Sequence, residues 1–273
     1  MVEAVKPFLK WAGGKHWLVQ WVSELAPATF GRYYEPFLGA GWFFFSLRPR
    51  LATLSDKNNE LVDTYKSVAA NPEGVLRALS AMRYSRDRYY EIRASSPRSD
   101  VRAAARFIYL NRTAWNGLYR VNHEGRFNVP FGTFVRPLDR VADRVVRAAS
   151  VLRRVRICRG DFEAMLVSAE PGDFVYLDPP YVSAHRDNGF DRYNAKVFGW
   201  ADQIRLRDVI HELTKRDVQV LMSNADHPSI QKLYRELQIT RISRKSLVAG
   251  STTHRTAVTE LLLSNYRFRW RAQ

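Results

Sequence analysis

The chain has 273 residues, of which 46% are hydrophobic and 13% aromatic, so it is long enough to bury a substantial core and too apolar for disorder to be expected. Its single cysteine, Cys158, excludes an internal disulfide and a cysteine-based zinc cluster, as suits a reducing intracellular compartment. The N-terminus lacks the apolar core of a signal peptide and no run of about 18 apolar residues occurs, so we expect a soluble, cytoplasmic protein without a membrane span.

The charge is strongly basic and unevenly distributed. Lysine and arginine number 43 against 27 acidic residues, a net charge of +16. The segment from Arg83 to Arg159 holds 18 arginines, no lysine and 6 acidic residues. Such a local field is typical of proteins that face a polyanion, and arginine suits forked contacts with phosphate and guanine. An ordinary basic surface from an arginine-rich proteome is the alternative that charge alone leaves open.

Seven strand-like runs follow one another along the chain. The first five end at polar or turn residues and alternate with helical patterns, which predicts an α/β sheet that is mostly parallel. The last two have no helix-length segment between them and therefore predict an antiparallel pair at the sheet edge. We predict the strands at 32–36, 52–56, 155–158, 173–178, 218–224, 239–244 and 258–266.

The second and third strands are separated by roughly a hundred residues, too many for a simple crossover. Helical patterns occupy 72–82, 99–115 and 138–154. We therefore predict a mainly helical insertion, residues 71–149, that carries the basic excess, and a sheet domain formed by residues 1–70 and 150–273. Residues 247–257 are the best candidate for a mobile loop.

Two of the first strand ends indicate a nucleoside-containing cofactor. Gly39-Ala40-Gly41 can turn tightly onto a helix N-terminus, where the backbone approaches a ligand closely and anionic groups are favoured. Asp56 ends the next strand, 15 residues after Gly41, where an acid can accept both hydroxyls of a ribose. The glycine turn alone would be equally compatible with a plain structural turn.

Two later strand ends add further polar groups. The third strand is followed by Asp161 and the fourth by Asp178, Pro179, Pro180 and Tyr181. Ligands of open α/β sheets bind at the carboxyl ends of strands, so these motifs predict one crevice. An isolated Asp-Pro-Pro would be read as a turn.

The Asp178-Pro179-Pro180-Tyr181 corner has the composition of a clamp for an amine. The carboxylate and the rigid backbone carbonyls are all hydrogen-bond acceptors, so they are suited to bind an NH2 group, which has two N–H donors. Tyr181 adds a flat face on which a base can stack. The corner therefore predicts a site for the exocyclic amine of a nucleobase.

With these residues in hand, the sequence resembles the Dam-type DNA adenine-N6 methyltransferases, which use S-adenosylmethionine (SAM). The resemblance covers nearly the whole chain, and its motifs occur in the family's order. It implies a Rossmann-like SAM-dependent methyltransferase fold, no metal ion, and a nucleoid-associated protein that acts on double-stranded DNA; we expect a monomer. The motifs are "PFLKWAGGK" (7–15), "EPFLGAG" (35–41), "SDKNNELVDTY" (55–65), "YLNRTAWNGLYRVNHEGRFNVPFG" (109–132), "YLDPPY" (176–181) and "LMSNAD" (221–226).

The resemblance also implies which residues meet the cofactor. The N-terminal motif and two strand-end acids would contact SAM or shape its pocket, the glycine turn would lie along the methionine moiety, and Asp161 would lie near the cofactor adenine. The implied cofactor residues are Trp11, Ala12, Gly13, Lys15, Glu35, Pro36, Phe37, Gly39, Ala40, Gly41, Asp56, Asp161, Phe162 and Asp178.

A hairpin-like segment at 115–127, with an Asn-Gly turn signal, is the part that enters the DNA in the family. The alternatives are a Trp115 buried in the core, an Arg112 in a structural salt bridge, and a plain second turn at 124–132. Residues 190–198 are either a lid over the target base or loop filler. The implied DNA contacts are Arg112, Trp115, Asn116, Leu118, Arg120, Asn128 and Pro130.

The sequence therefore predicts a site-specific enzyme that moves a methyl group from SAM to N6 of a flipped-out adenine in duplex DNA. GATC is the first guess for the target sequence, from the likeness of the hairpin to that of GATC methylases. Methylation of cytosine N4 or of RNA adenine remains open, because similar corners occur in those enzymes. A non-catalytic nucleic-acid-binding protein is the third alternative, and the intact motifs argue against it.

Overall fold

The computed structural model describes residues 5–133, 138, 140–181, 198–245 and 257–268. The loop predicted at 247–257 and the lid predicted at 190–198 lie outside the described residues, apart from their last positions.

The fold is built on one seven-stranded sheet with the order β3-β2-β1-β4-β5-β7-β6. Strand β2 pairs in parallel with β3, and β4 pairs in parallel with both β1 and β5. Strand β7 is antiparallel to both β5 and β6. This confirms the Rossmann-like methyltransferase sheet and all seven predicted strands. The strands are β1 (Tyr33–Glu35), β2 (Ala52–Asp56), β3 (Arg156–Arg159), β4 (Phe174–Leu177), β5 (Gln219–Ala225), β6 (Gln238–Lys245) and β7 (Ala257–Ser264).

Helices connect and cover the strands, and the three predicted between β2 and β3 are confirmed as α4, α6 and α7. Helices α3 to α6 each begin after an Asn or Ser side chain that accepts a hydrogen bond from a backbone N–H of the first turn. The helices are α1 (Val22–Leu25), α2 (Trp42–Leu47), α3 (Asn59–Ala70), α4 (Pro72–Ser80), α5 (Arg86–Ala94), α6 (Asp100–Thr113), α7 (Val141–Leu152), α8 (Phe162–Leu166), α9 (Trp200–Lys215) and α10 (Pro228–Leu233), with 3-10 turns at His16–Trp21 and Trp115–Gly117.

The chain divides into two compact units. Unit 1 comprises residues 1–22 and 38–161, and unit 2 comprises residues 23–37 and 162–273. Strands β2 and β3 share unit 1 with helices α2 to α7, whereas the other five strands belong to unit 2. The functional division into a sheet domain and an insertion at 71–149 stays a prediction.

Alternation along the strands of unit 2 gives their two faces different characters. One face is apolar and packs against α9 through a core that includes Tyr34, Val175, Leu177, Met222 and Leu261. Tyr33 pairs with Phe174, and Tyr176 pairs with Leu221. Side chains alternate between the two faces of a strand, so these four residues lie on the face opposite the apolar core. That opposite face carries the polar side chains that lead to the end of β4.

Membrane-spanning helices and metal clusters are both absent from the described residues. None of the helices in these ranges is long and apolar enough to cross a membrane. In the same part of the chain, no three His, Cys, Asp or Glu side chains come together in a group that could hold a metal ion.

Candidate active site

Asp178 directly follows β4, and a side chain of the neighbouring strand β5 orients its carboxylate. The last register pair is Leu177 with Met222, so Asp178 comes opposite Ser223 of β5. The Ser223 hydroxyl donates to Asp178 Oδ1 at 2.8 Å, and the Tyr176 hydroxyl lies 3.2 Å from Ser223 Oγ. Since the Ser223 proton points to Asp178, Tyr176 donates to Ser223. The chain of hydroxyls thus keeps the carboxylate oriented as an acceptor.

Tyr181, the last residue of the tetrapeptide, is also fixed by a side chain on another strand. Its hydroxyl donates to Glu260 Oε2 of β7 at 2.7 Å. Burial, followed by the neighbouring carboxylates of Asp178 and Glu260, raises the pKa of Tyr181 well above its ordinary value. The phenol therefore stays protonated and remains a hydrogen-bond donor.

Glu35, at the end of β1, is a third acid in this part of unit 2. Its side chain is 2% exposed and accepts a hydrogen bond from the Tyr33 hydroxyl at 2.7 Å. Burial and the Glu35 carboxylate raise the pKa of Tyr33 well above its usual range. The neighbouring phenol thus satisfies part of the hydrogen-bonding demand of this buried carboxylate.

The corner between β4 and the segment after it is rigid and rich in acceptors. Pro179 and Pro180 have fixed φ angles and no N–H to donate. Asp178 supplies a carboxylate and Tyr181 an aromatic ring within the same four residues. These groups could accept hydrogen bonds from an amine; the role of the corner as an amine clamp stays a prediction.

In unit 1, the glycine turn and Asp56 are joined directly. Asp56 Oδ2 accepts from the Gly39 backbone N–H at 3.0 Å, and Oδ1 accepts from the Asn58 N–H at 2.9 Å. Gly39 and Gly41 have φ values of 48° and 70°, and Gly41 precedes the first residue of α2. A Cβ on Gly39 would lie 2.8 Å from Trp11 Cδ1, so both conformation and space require glycine there.

Asp56 is an acceptor of the kind that a ribose hydroxyl requires. Burial raises its pKa, while hydrogen bonds from the backbone of Asn58, Gly39 and Lys57 act in the opposite direction. A carboxylate offers about four acceptor positions, so three backbone donors leave capacity for a hydroxyl. The residues of unit 1 therefore fit a nucleoside at this strand end.

The N-terminal motif is held against α6. The Lys10 backbone N–H donates to Asn111 Oδ1 at 2.8 Å, and Asn111 Nδ2 donates back to the Lys10 carbonyl at 2.7 Å. The Trp11 ring stacks on Tyr119 with centroids 5.4 Å apart and on Phe107 at 6.4 Å. These contacts bring the predicted cofactor residue Trp11 together with Gly39 and with a residue of the hairpin.

The remaining predicted cofactor residues differ in their surroundings. Lys15 is 4% exposed and its Nζ donates to the Gly13 carbonyl at 2.8 Å, whereas Ala12 and Gly13 are exposed. In unit 2, Pro36 is buried, and Phe37 packs against Phe162 with centroids 5.4 Å apart. Phe162 is buried and covered by the Arg205 guanidinium. Ala40 is buried in unit 1 and Asp161 is partly exposed there; the roles of all these residues stay predictions.

The segment predicted as a hairpin does reverse direction, but not at its Asn-Gly pair. Val121 and Phe127 form an antiparallel bridge, and the Gly125 N–H donates to the Asn122 carbonyl with Gly125 at φ 74°. Asn116-Gly117 instead forms a 3-10 turn before the first arm. The tip of the hairpin is therefore Asn122–Gly125, which corrects the position that the Asn-Gly signal indicated.

Two predicted DNA contacts bridge the arms of this hairpin. Arg120 Nε donates to Asn128 Oδ1 at 2.8 Å. The Arg120 side chain is exposed, and its guanidinium is oriented by this bond. Among the other predicted contacts, Asn116 and Pro130 are exposed and Leu118 is partly exposed.

Arg112 lies in the last turn of α6, and Trp115 begins the 3-10 turn that follows the helix. Trp115 is 52% exposed, so its ring is not part of the core. Burial, followed by the charge of Arg144, lowers the pKa of Arg112 to about 10. Arg112 is thus a partly buried cation whose neighbours include a second cation, Arg144.

Sequence reasoning missed four residues that contact the predicted motifs, two in each unit. Ser223 lay within a motif quoted for the resemblance, yet its bond to Asp178 depends on strand pairing. Glu260 had a visible signal, an acid within the apolar run of β7, that drew no inference. Asn111 and Tyr119 meet the N-terminal motif about a hundred residues away in sequence, so local patterns could not reveal them.

Comparison with known proteins agrees with the geometry. The family model described as "D12 class N6 adenine-specific DNA methyltransferase" matches residues 11–248. A type II methyltransferase of Lactococcus lactis subsp. cremoris, M1.LlaDCHI, is 34% identical over 96% of both chains. The type II methyltransferase M.MjaIII of Methanocaldococcus jannaschii is 32% identical over 96% of this chain and 99% of its own. A DNA adenine methylase of Vibrio cholerae is 31% identical over 94% of this chain and 95% of its own.

Proposed function

Because the chain belongs to the D12 class N6 adenine-specific DNA methyltransferase family, we propose that it transfers a methyl group from SAM to N6 of an adenine rotated out of duplex DNA. The observation that carries the proposal is the acceptor corner after β4, where Ser223 orients Asp178 and Glu260 fixes Tyr181. An amine with two hydrogens is the group that such a corner recognises.

Asp178 and the backbone carbonyl of Pro179 accept the two hydrogens of N6. These bonds turn the nitrogen lone pair away from conjugation with the ring and make it available for reaction. The proton that N6 loses on methylation passes to Asp178 or to water. Tyr181 stacks on the adenine and holds its plane. Catalysis rests mainly on positioning, which contributes about 7 to 11 kcal/mol in well-oriented systems.

The residues of unit 1 would hold the methyl donor. Asp56 accepts from a ribose hydroxyl, and the turn at Gly39–Gly41 admits a ligand close to the backbone. Trp11 adds an aromatic wall that Tyr119 and Phe107 keep in place. When bound, SAM supplies an electrophilic methyl group on a sulfonium leaving group.

The basic segment and the hairpin would bind the duplex. Rotating a base out of the helix costs a few kcal/mol, which phosphate contacts and an inserted side chain offset. The exposed Trp115 ring is suited to fill or stack where a base has left. Because the hairpin resembles that of GATC methylases, GATC is the first sequence to test.

The Asp178→Ala variant tests this mechanism. We expect methyl transfer from tritiated SAM to an unmethylated plasmid to fall at least about 100-fold, as when one charge-stabilising group is removed from an active site. Binding of the variant to duplex DNA should persist. The matched control is Asp208→Ala, which removes a mostly exposed carboxylate that pairs with Arg207. A fully active Asp178→Ala variant would refute the clamp.

Mass spectrometry of nucleosides from DNA treated with the wild-type protein identifies the product. We propose N6-methyladenine; N4-methylcytosine would exclude the adenine assignment, and methylation confined to RNA would exclude DNA as the substrate. Sequencing of modified bases in a host that expresses the protein gives the target site in the same experiment.

A further inference from the structure

Glu260 is a buried acid that directly precedes an apolar run in its strand. It is 3% exposed, and Leu261, Leu262 and Leu263 follow it in β7. Removing a carboxylate from water is unfavourable unless hydrogen bonds compensate it. A leucine or valine would serve a purely structural strand better. We therefore expect the buried carboxylate to accept a hydrogen bond from a neighbouring side chain.

The sheet register brings Glu260 to the polar face of unit 2. Glu260 pairs with Ala225 of β5, and Ser223 lies two residues earlier on the same strand. Paired residues, and residues two apart, lie on the same face of a sheet. Ser223, Ala225 and Glu260 therefore share one face, and the small Ala225 side chain leaves room beside the acid. Two neighbouring strands thus each present one polar group to the Asp178–Tyr181 segment.

We propose that Glu260 is the positioning residue for Tyr181, acting through the hydrogen bond that its carboxylate accepts from the phenol; this inference rests on the proposed function, in which Tyr181 stacks on the target adenine. The oxygen-to-oxygen distance is 2.7 Å. Bonds to a charged acceptor are stronger than neutral ones, so this one resists displacement when a base arrives.

The two ends of Tyr181 are fixed by different means. On the backbone side, the ring follows Pro180, whose φ is locked. At the far end, the hydroxyl is held by Glu260, so rotation about the side-chain torsions would break a charge-assisted bond. The raised pKa of Tyr181 keeps the proton on the phenol at neutral pH, so the phenol remains available as the donor. A phenylalanine would offer the same stacking surface without that anchor.

A double-mutant cycle between Tyr181 and Glu260 tests the proposal. Glu260→Leu removes the acceptor and Tyr181→Phe removes the donor, and we expect each to slow single-turnover methyl transfer about 10- to 100-fold. The double variant should be no slower than either single variant, because the same bond is lost once. Glu260→Gln keeps an acceptor oxygen and should stay within about threefold of the wild type. The affinity for SAM should not change in any of them.

Additive losses in the cycle, or a Glu260→Gln variant as slow as Glu260→Leu, would show that Glu260 acts independently of Tyr181. Glu236→Gln is the control for loss of one negative charge in unit 2, since that side chain is 74% exposed. We expect it to match the wild type in rate, and a rate as low as that of Glu260→Leu would also overturn the proposal.

A second measurement needs no methyl transfer. In protein labelled with 13C at tyrosine Cζ, the Tyr181 resonance is identified by its absence from Tyr181→Phe. We expect this resonance to move in Glu260→Leu and to keep its position in Glu260→Gln; an unmoved resonance in Glu260→Leu overturns the anchor. If the resonance moves but wild-type protein leaves DNA unmethylated, the proposed function fails while the anchor stands.

Discussion

Asp56 shows how one residue can serve both the fold and the cofactor. Its two oxygens accept from the backbone N–H groups of Gly39 and Asn58, so it fixes the glycine turn that follows β1. Burial nevertheless raises its pKa, because the loss of solvent outweighs these backbone bonds. The ionised form is therefore less favoured in the folded protein than in the unfolded chain.

This imbalance predicts a pH dependence of stability. A raised pKa means that the folded state binds the Asp56 proton more tightly than the unfolded chain does, so protonated Asp56 stabilises the fold. This stabilisation is fully present below the ordinary pKa of 3.8 and is lost as the pH rises through the raised pKa. Asp56→Asn stays neutral. The unfolding free energy of the variant minus that of the wild type should therefore increase as the pH rises from about 3.5 through the raised pKa, by about 1.4 kcal/mol for each tenfold difference in proton affinity between the folded and unfolded states. Urea titrations across this range measure it; a difference that shrinks with pH would contradict the assignment.

Individual site residues were predictable where a local pattern limits the chemistry. Gly39, Gly41, Asp56 and Asp178 stand at strand ends with turn residues beside them, and both turn geometry and ligand class follow from that position. Ser223 and Glu260 were not predictable, because each reaches the segment 178–181 through a pairing between strands that only the fold establishes. A buried acid in an apolar strand is the signal that would have found Glu260.

At the scale of elements, the strands were predictable and the hairpin tip was not. Each strand ends at a polar or turn residue and alternates or runs apolar within, so its position is set locally. Segment 115–127 holds two competing turn signals, Asn116-Gly117 and Asn122–Gly125. The bridge between Val121 and Phe127 selects the second, and the first becomes a turn that leads out of α6.

The hairpin predicts a difference between two of its arginines. Arg120 is oriented by Asn128 across the arms, which prepares its guanidinium for forked contact with a base. We expect Arg120→Ala to reduce discrimination between target and non-target sites by about 1 to 3 kcal/mol while the affinity for SAM is unchanged. Sequencing of methylated sites at limiting enzyme measures the preference.

Arg126→Ala is the matched control, since Arg126 is exposed near the hairpin tip and is paired with Glu124. We expect it to weaken binding to all sequences similarly, if at all. Equal site preference in Arg120→Ala and wild type would exclude a specific role for Arg120.

The net charge of +16 and its concentration between Arg83 and Arg159 predict, for the protein as a whole, a DNA affinity that falls as the salt concentration rises. Within unit 1 the basic residues repel one another. Burial, then Arg112 and Arg144, lowers the pKa of Lys10, and Arg144 contributes to the lowered pKa of Arg112. This cluster of cations would be stabilised by a bound phosphate, because the phosphate charge opposes the repulsion between them.

The salt dependence of DNA binding tests whether this cluster meets a phosphate. Each phosphate contact releases counterions and contributes about 0.9 to the slope of log affinity against log salt concentration. We expect Arg144→Gln to make that slope less steep by about 0.9, whereas Arg147→Gln, on the same helix and paired with Asp143, should leave it unchanged. Fluorescence anisotropy with a labelled duplex at several salt concentrations gives both slopes. If Arg144→Gln keeps the wild-type slope, Arg144 does not contact a phosphate, and the DNA contacts lie elsewhere on the basic segment.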